Sequence, residues 1–108
     1  MSQGIAHSQA INLADLVAYQ EGSVVSRQLV KRDKGNVTLF AFDAGQGLTE
    51  HTSPFDALVQ IVDGEAEITI SGKPCRVRAG EIILMPANEP HGLRAPARFK
   101  MLLTMIRD

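Results

Sequence analysis

Tryptophan is missing from this 108-residue chain, and cysteine occurs once, at Cys75. A lone thiol cannot close an internal disulfide, so packing and hydrogen bonds must hold the fold, and a reducing compartment is its natural setting. Charge of either sign is not in excess: 11 Lys and Arg stand against 12 Asp and Glu, a formal net charge of −1. Such a chain has no field with which to gather nucleic acid or anionic lipid, so neither is an expected partner. No apolar run approaches the ~20 residues that span a bilayer. The opening stretch MSQGIAHSQA has neither a basic n-region nor an apolar h-region, so it does not read as a secretory signal. Together these absences predict a cytoplasmic protein.

What is present is the composition of an ordinary globular domain, 44% hydrophobic and 21% charged. The length suits one domain, which buries roughly two thirds of its unfolded surface and so forms one core. Residues 1–10 are small and polar and predict a flexible arm; residues 11–108 predict a single domain. INLADLV predicts at most one helical turn, capped by Asn12, with Leu13, Leu16 and Val17 on one face. Beyond it only strand signals recur. SVVSRQLV and NVTLFAFD are rich in Val, Thr and Phe around the turn KRDKGN. EAEITI alternates, with Ala66, Ile68 and Ile70 on one face, and SGK turns it back into PCRVR as a hairpin. EIILMP is a strand that stops at Pro86, and RFKMLLTMI places Phe99, Met101, Leu103 and Met105 on one face. Turn signals about every eight to twelve residues predict an all-β sandwich or barrel.

The stretch GLTEHTSPFDALVQIVDG sets His51 before an apolar run that ends in Gly64. Five residues separate Gly45 from His51; Ser53, Ala57 and Gly64 follow at fixed intervals. Further on come Gly80, Pro86, Asn88, His91 and Ala95. In these anchors the chain resembles the cupin superfamily, whose first motif runs glycine, five residues, His-x-His, three or four residues, glutamate, six residues, glycine. Its second runs glycine, five residues, Pro-x-Gly, two residues, His, three residues, Asn. The resemblance implies a double-stranded β-helix of the jelly-roll type. It also implies a site inside the barrel, near one end, surrounded by His51, Ser53, Ala57 and His91. The glycine, proline and two of the histidine positions match. Ser53 stands at the second histidine position, Ala57 at the glutamate position, Asn88 at a glycine position and Ala95 at the asparagine position. Asn88 suits its place because Asn tolerates the left-handed region.

The residues at 51, 53 and 57 share parity and are expected to face one side, whereas Glu50 and Asp56 have the opposite parity. Two imidazoles fall short of the three protein ligands of a catalytic zinc site, or the two histidines and carboxylate of a non-haem iron site. The expected state is therefore no resident cofactor. The alternative is a divalent ion (Zn, Ni, Fe, Mn or Cu) held weakly by His51 and His91. Met85, Met101 and Met105 read first as gap-filling core, and second as a soft pocket or a Cu(I) site with the two histidines.

The expected ligand-binding set is His51, Ser53, Met85, His91, Met101 and Met105, lining a mostly apolar pocket for a small organic molecule. The alternative function is a divalent-metal-dependent enzyme of dioxygenase or isomerase type, and a third is a dimerisation module. Cys75 reads as structural and Tyr19 as an exposed strand-edge residue. The β-rich segments near the N-terminus predict a two-fold homodimer.

Overall fold

The structure is a computed structural model and describes residues 5–108; residues 1–4 of the expected arm lie outside the described residues. The helical turn forms as a 3-10 turn at Leu13–Leu16, where the Asn12 side chain accepts a hydrogen bond from the Ala14 amide. Eight strands follow: β1 (Val24–Arg32), β2 (Gly35–Phe42), β3 (Gly47–His51), β4 (Asp56–Ile70), β5 (Lys73–Arg78), β6 (Ile82–Met85), β7 (His91–Arg94) and β8 (Phe99–Ile106). They curl into the predicted all-β jelly-roll barrel. One sheet runs β1-β2-β8-β4-β6 and the other β5-β4-β7-β3, every pair antiparallel.

β4 belongs to both sheets. The pattern predicted an apolar run after His51 that ends at Gly64, followed by EAEITI as a strand. Instead the ladder continues unbroken through Gly64 for 15 residues. Against β8 the register slips between Ile61 and Asp63, so one extra residue is inserted. That bulge inverts the alternation. Ala57, Val59 and Ile61 face the core before it; Ala66 and Ile68 face the core after it. Val62 turns to the opposite side. Gly64 makes this possible: its φ is +73°, and a Cβ there would lie 2.1 Å from the Arg98 carbonyl oxygen. At the hairpin, Ser71 and Gly72 both have positive φ, 50° and 82°, as a two-residue type I′ turn requires.

The main core lies between the sheets. Phe42 and Phe99, cross-strand partners next to the bulge, stack with ring centroids 4.6 Å apart. Such a pair adds about 0.5–1.5 kcal/mol beyond its buried area. A second cluster covers the outer face of β2 and β8, where Leu13, Leu16, Val17 and Tyr19 pack over Leu39, Ala41 and Leu102.

Tyr19 precedes β1 and is half-buried, not an exposed strand-edge residue. Its hydroxyl donates to the Asp63 carboxylate, and Arg98 and Lys100 lie over its ring at 5.3 and 5.0 Å. Burial and the Asp63 bond push the phenol pKa up. Arg98 also donates to Asp43 at 2.7 Å and holds that carboxyl below the usual carboxylate range. The N-terminal segment is thereby clasped to the bulge. Cys75 is exposed on β5.

Two glycine variants separate conformation from crowding. Gly64→Ala should cost about 2 kcal/mol or more, because the left-handed penalty of about 1–2 kcal/mol adds to a collision with backbone. Gly72→Ala, with nothing within 4 Å of its Cβ, should cost only the conformational part, about 1 kcal/mol. Urea unfolding midpoints measure both, and equal losses would refute the role assigned to the Arg98 contact.

Candidate functional site

The two histidines sit on the shortest strands of the second sheet. β3 and β7 are five and four residues long, and their register makes His51 and His91 direct cross-strand partners. Their ring centroids are 4.5 Å apart, with planes at 67°. Gly92 lets the strands approach: a Cβ there would meet the Leu48 oxygen at 3.1 Å and the Glu50 nitrogen at 3.2 Å. His91 is 4% exposed, while His51 is exposed at the rim.

Both rings are held the same way. The Nδ1 of His51 bonds the Thr49 carbonyl at 2.8 Å, and the Nδ1 of His91 bonds the Glu89 carbonyl at 3.1 Å. A carbonyl only accepts, so each Nδ1 carries a proton and donates it. In the neutral ring the lone pair is then on Nε2. Neither Nε2 has a protein partner among the described residues. Both imidazoles are among the residues that line one cavity.

The cavity itself is about 60 Å³. One water-sized group needs ~10–15 Å³, so the cavity suits a small molecule. β4 supplies Ala57, β6 supplies Met85, and β8 supplies Met101, Leu103 and Met105; Leu48 and Leu93 complete the apolar wall around the imidazoles.

Five of the six expected ligand-binding residues, His51, Met85, His91, Met101 and Met105, line one cavity. Ser53 is not among the lining residues. The chain leaves its strand after His51, so the shared parity of 51, 53 and 57 does not carry through the loop. The Ser53 hydroxyl accepts from the Phe55 amide at 3.2 Å instead, and its carbonyl accepts from the Asn88 amide at 2.8 Å. Asn88 has φ +68°, the left-handed conformation expected of it. Asp56 accepts from the Ala87 amide at 2.9 Å, and Glu50 lies on the outer face with Glu67 and Arg94. These bonds tie the two mouth loops together and hold the Asp56 carboxylate off the cavity wall.

Gly92, Leu48 and Leu93 are lining residues that sequence reasoning missed. Strands of four and five residues show too little alternation to reveal them; only the position of His91 marked the neighbourhood.

A hard divalent ion does not fit this wall. Among the described residues no group of three His, Cys, Asp or Glu side chains comes together. Two neutral imidazoles supply neither the third donor nor the negative charge that such an ion requires.

A model of the cupin domain matches residues 38–106. Among solved structures, a conserved protein of unknown function from Streptococcus pyogenes is 40% identical, with a TM-score of 0.93 over 97% of this chain and 92% of that one. A cupin superfamily protein from Desulfitobacterium hafniense is 28% identical, with a TM-score of 0.90 over 97% of this chain and 96% of that one. A cupin 2 conserved barrel domain protein from Leptotrichia buccalis is 42% identical, with a TM-score of 0.88 over 90% of this chain and 47% of its own. No curated protein matches the chain significantly.

The ring geometry makes a spectroscopic prediction. In nitrogen-15 spectra of the neutral rings, His51 and His91 should both show the Nδ1–H tautomer, and an Nε2–H signal from either would refute the arrangement.

Proposed function

The chain belongs to the cupin domain family, and within it we propose a ligand-binding barrel that takes a small, neutral organic molecule in its cavity. The observation that carries this reading is the pair of bare Nε2 acceptors set in an otherwise apolar wall. A molecule with an N–H or O–H group and an apolar remainder suits that lining: the donor satisfies an imidazole, and the rest displaces water from Met and Leu side chains. A cavity of about 60 Å³ suits a small molecule, since one water-sized group needs ~10–15 Å³. Small ligands gain at most about 1.5 kcal/mol per non-hydrogen atom. That favours reversible sensing or buffering of a small metabolite over tight sequestration. The alternative, a divalent-metal-dependent oxygenase or isomerase on His51 and His91, lacks a third donor.

Short alcohols, amides and azoles are suitable probes. At 100 times its Kd, a bound probe should stabilise the protein by about 2.7 kcal/mol. The His51→Ala/His91→Ala double variant should lose that shift while keeping its fold. A panel that moves the melting temperature of neither protein would sink this reading.

Assembly is a second part of the proposal: a two-fold homodimer. A row runs directly across the outer face of the first sheet through Val30, Val37, Thr104, Leu58 and Leu84. Leu84 is 53% exposed and Ile82 beside it 64%. Among the described residues, β1 ends the same sheet with an unpaired edge. Apolar face and open edge together support pairing with a second copy, as large exposed apolar patches on soluble domains usually mark contacts. Sedimentation should give a dimer at micromolar concentration, and Ile82→Lys/Leu84→Lys should shift it to monomer. A wild-type monomer at that concentration would rule the dimer out.

A further inference from the structure

The methionines of the cavity wall occupy positions that an apolar lining alone does not require. Ala57 pairs with Met85 of β6 on one side and with Met105 of β8 on the other. Direct cross-strand partners on one face have Cβ atoms about 4.5–5.5 Å apart. Two thioethers therefore flank the residue that stands at the carboxylate position of the first motif, and both line the cavity with His51 and His91. Met101, fully buried, lies four residues before Met105 on the same face of β8.

The donor set facing this cavity is two imidazole nitrogens and thioether sulfurs, with no carboxylate among them. All are neutral. The cost of burying an ion rises with the square of its charge, so a divalent ion pays roughly four times what a monovalent one pays here. Thioether and imidazole donors together select a soft, polarisable ion. Both Nδ1–H groups are already anchored to carbonyls, the arrangement that orients a histidine to ligate through Nε2. Methionine side chains have three rotatable bonds, enough to bring sulfur to an ion without moving backbone.

We propose that the cavity is a site for a soft monovalent metal ion, Cu(I), held by Nε2 of His51 and His91 and by the thioether sulfurs of Met85 and Met105. The site uses the same imidazole pair as the organic ligand, so the two occupants compete. It goes beyond that reading because it assigns a role to the sulfur atoms, which an organic ligand meets only as apolar wall.

The test is anaerobic transfer of Cu(I) from a chromogenic chelator to untagged protein. One equivalent should transfer, and Zn(II) should bind more weakly than Cu(I). Met85→Leu/Met105→Leu preserves apolar volume, a swap that usually costs under about 1.5 kcal/mol of stability. It should weaken Cu(I) at least tenfold. In the wild type, Ag(I) as a redox-inert probe should shift the methyl resonances of Met85 and Met105, a readout that needs no variant. No Cu(I) transfer, unshifted methionine methyls, or undiminished affinity in the leucine variant would each overturn the metal site. Probe binding without Cu(I) transfer would leave the organic pocket standing alone. Methionine-dependent Cu(I) transfer without probe binding would leave the metal site alone.

Discussion

The barrel turns on the passage of β4 through Gly64. A strand alternates its side chains strictly, so a strand shared by two facing sheets must change phase where it crosses between them. The inserted residue at the bulge makes that change, and the positive φ of Gly64 bends the chain with the Arg98 carbonyl almost on top of it. Everything inside depends on the result. Ala57, Val59 and Ile61 fill the space under one sheet, and Ala66 and Ile68 fill it under the other. The stacked Phe42 and Phe99 sit beside the bend, and Asp63 within it receives Tyr19 from the N-terminal segment. Without the phase change, half of β4 would present glutamates to the core and isoleucines to water.

At the open end, order comes from hydrogen bonds to backbone carbonyls and carboxylates. Each imidazole is oriented by a carbonyl two residues earlier in its own chain. The Glu89 carbonyl is steadied in turn, because the Glu89 side chain accepts from the Ser71 hydroxyl at 2.8 Å and Pro90 restricts its backbone. Ser53 and Asp56 fasten the loop that carries Asn88. The mouth is thus preorganised, and binding a small occupant does not have to repay the ordering of its loops.

A family resemblance and the chemistry of one member part ways at this point. The glycines, Pro86 and His91 build the shared frame, but the frame does not dictate what binds within it. In this chain the carboxylate position is alanine and the second histidine position is a serine bonded into its own loop. The two changes remove negative charge and hard donors together. What is left is a cavity lined by two imidazoles, methionines and apolar side chains, with no carboxylate in its wall.

Periodicity and turn chemistry determined the all-β class, the hairpins and the helical cap at Asn12, since each rests on residues adjacent in the chain; the left-handed Asn88 followed from the family resemblance. The same local signals misread Gly64 as a terminator, because a glycine with positive φ looks alike in a turn and in a bulge. They passed over β3 and β7, which are too short to show a period. The family anchors marked both histidines, but their meeting is a matter of register between strands 40 residues apart in sequence, as is the flanking of Ala57 by Met85 and Met105. Only tertiary structure decided that Ser53 stays out of the cavity, that Nε2 and not Nδ1 is presented, and that the cavity is small. Those facts depend on which carbonyls and side chains the fold brings close, and no local pattern encodes that.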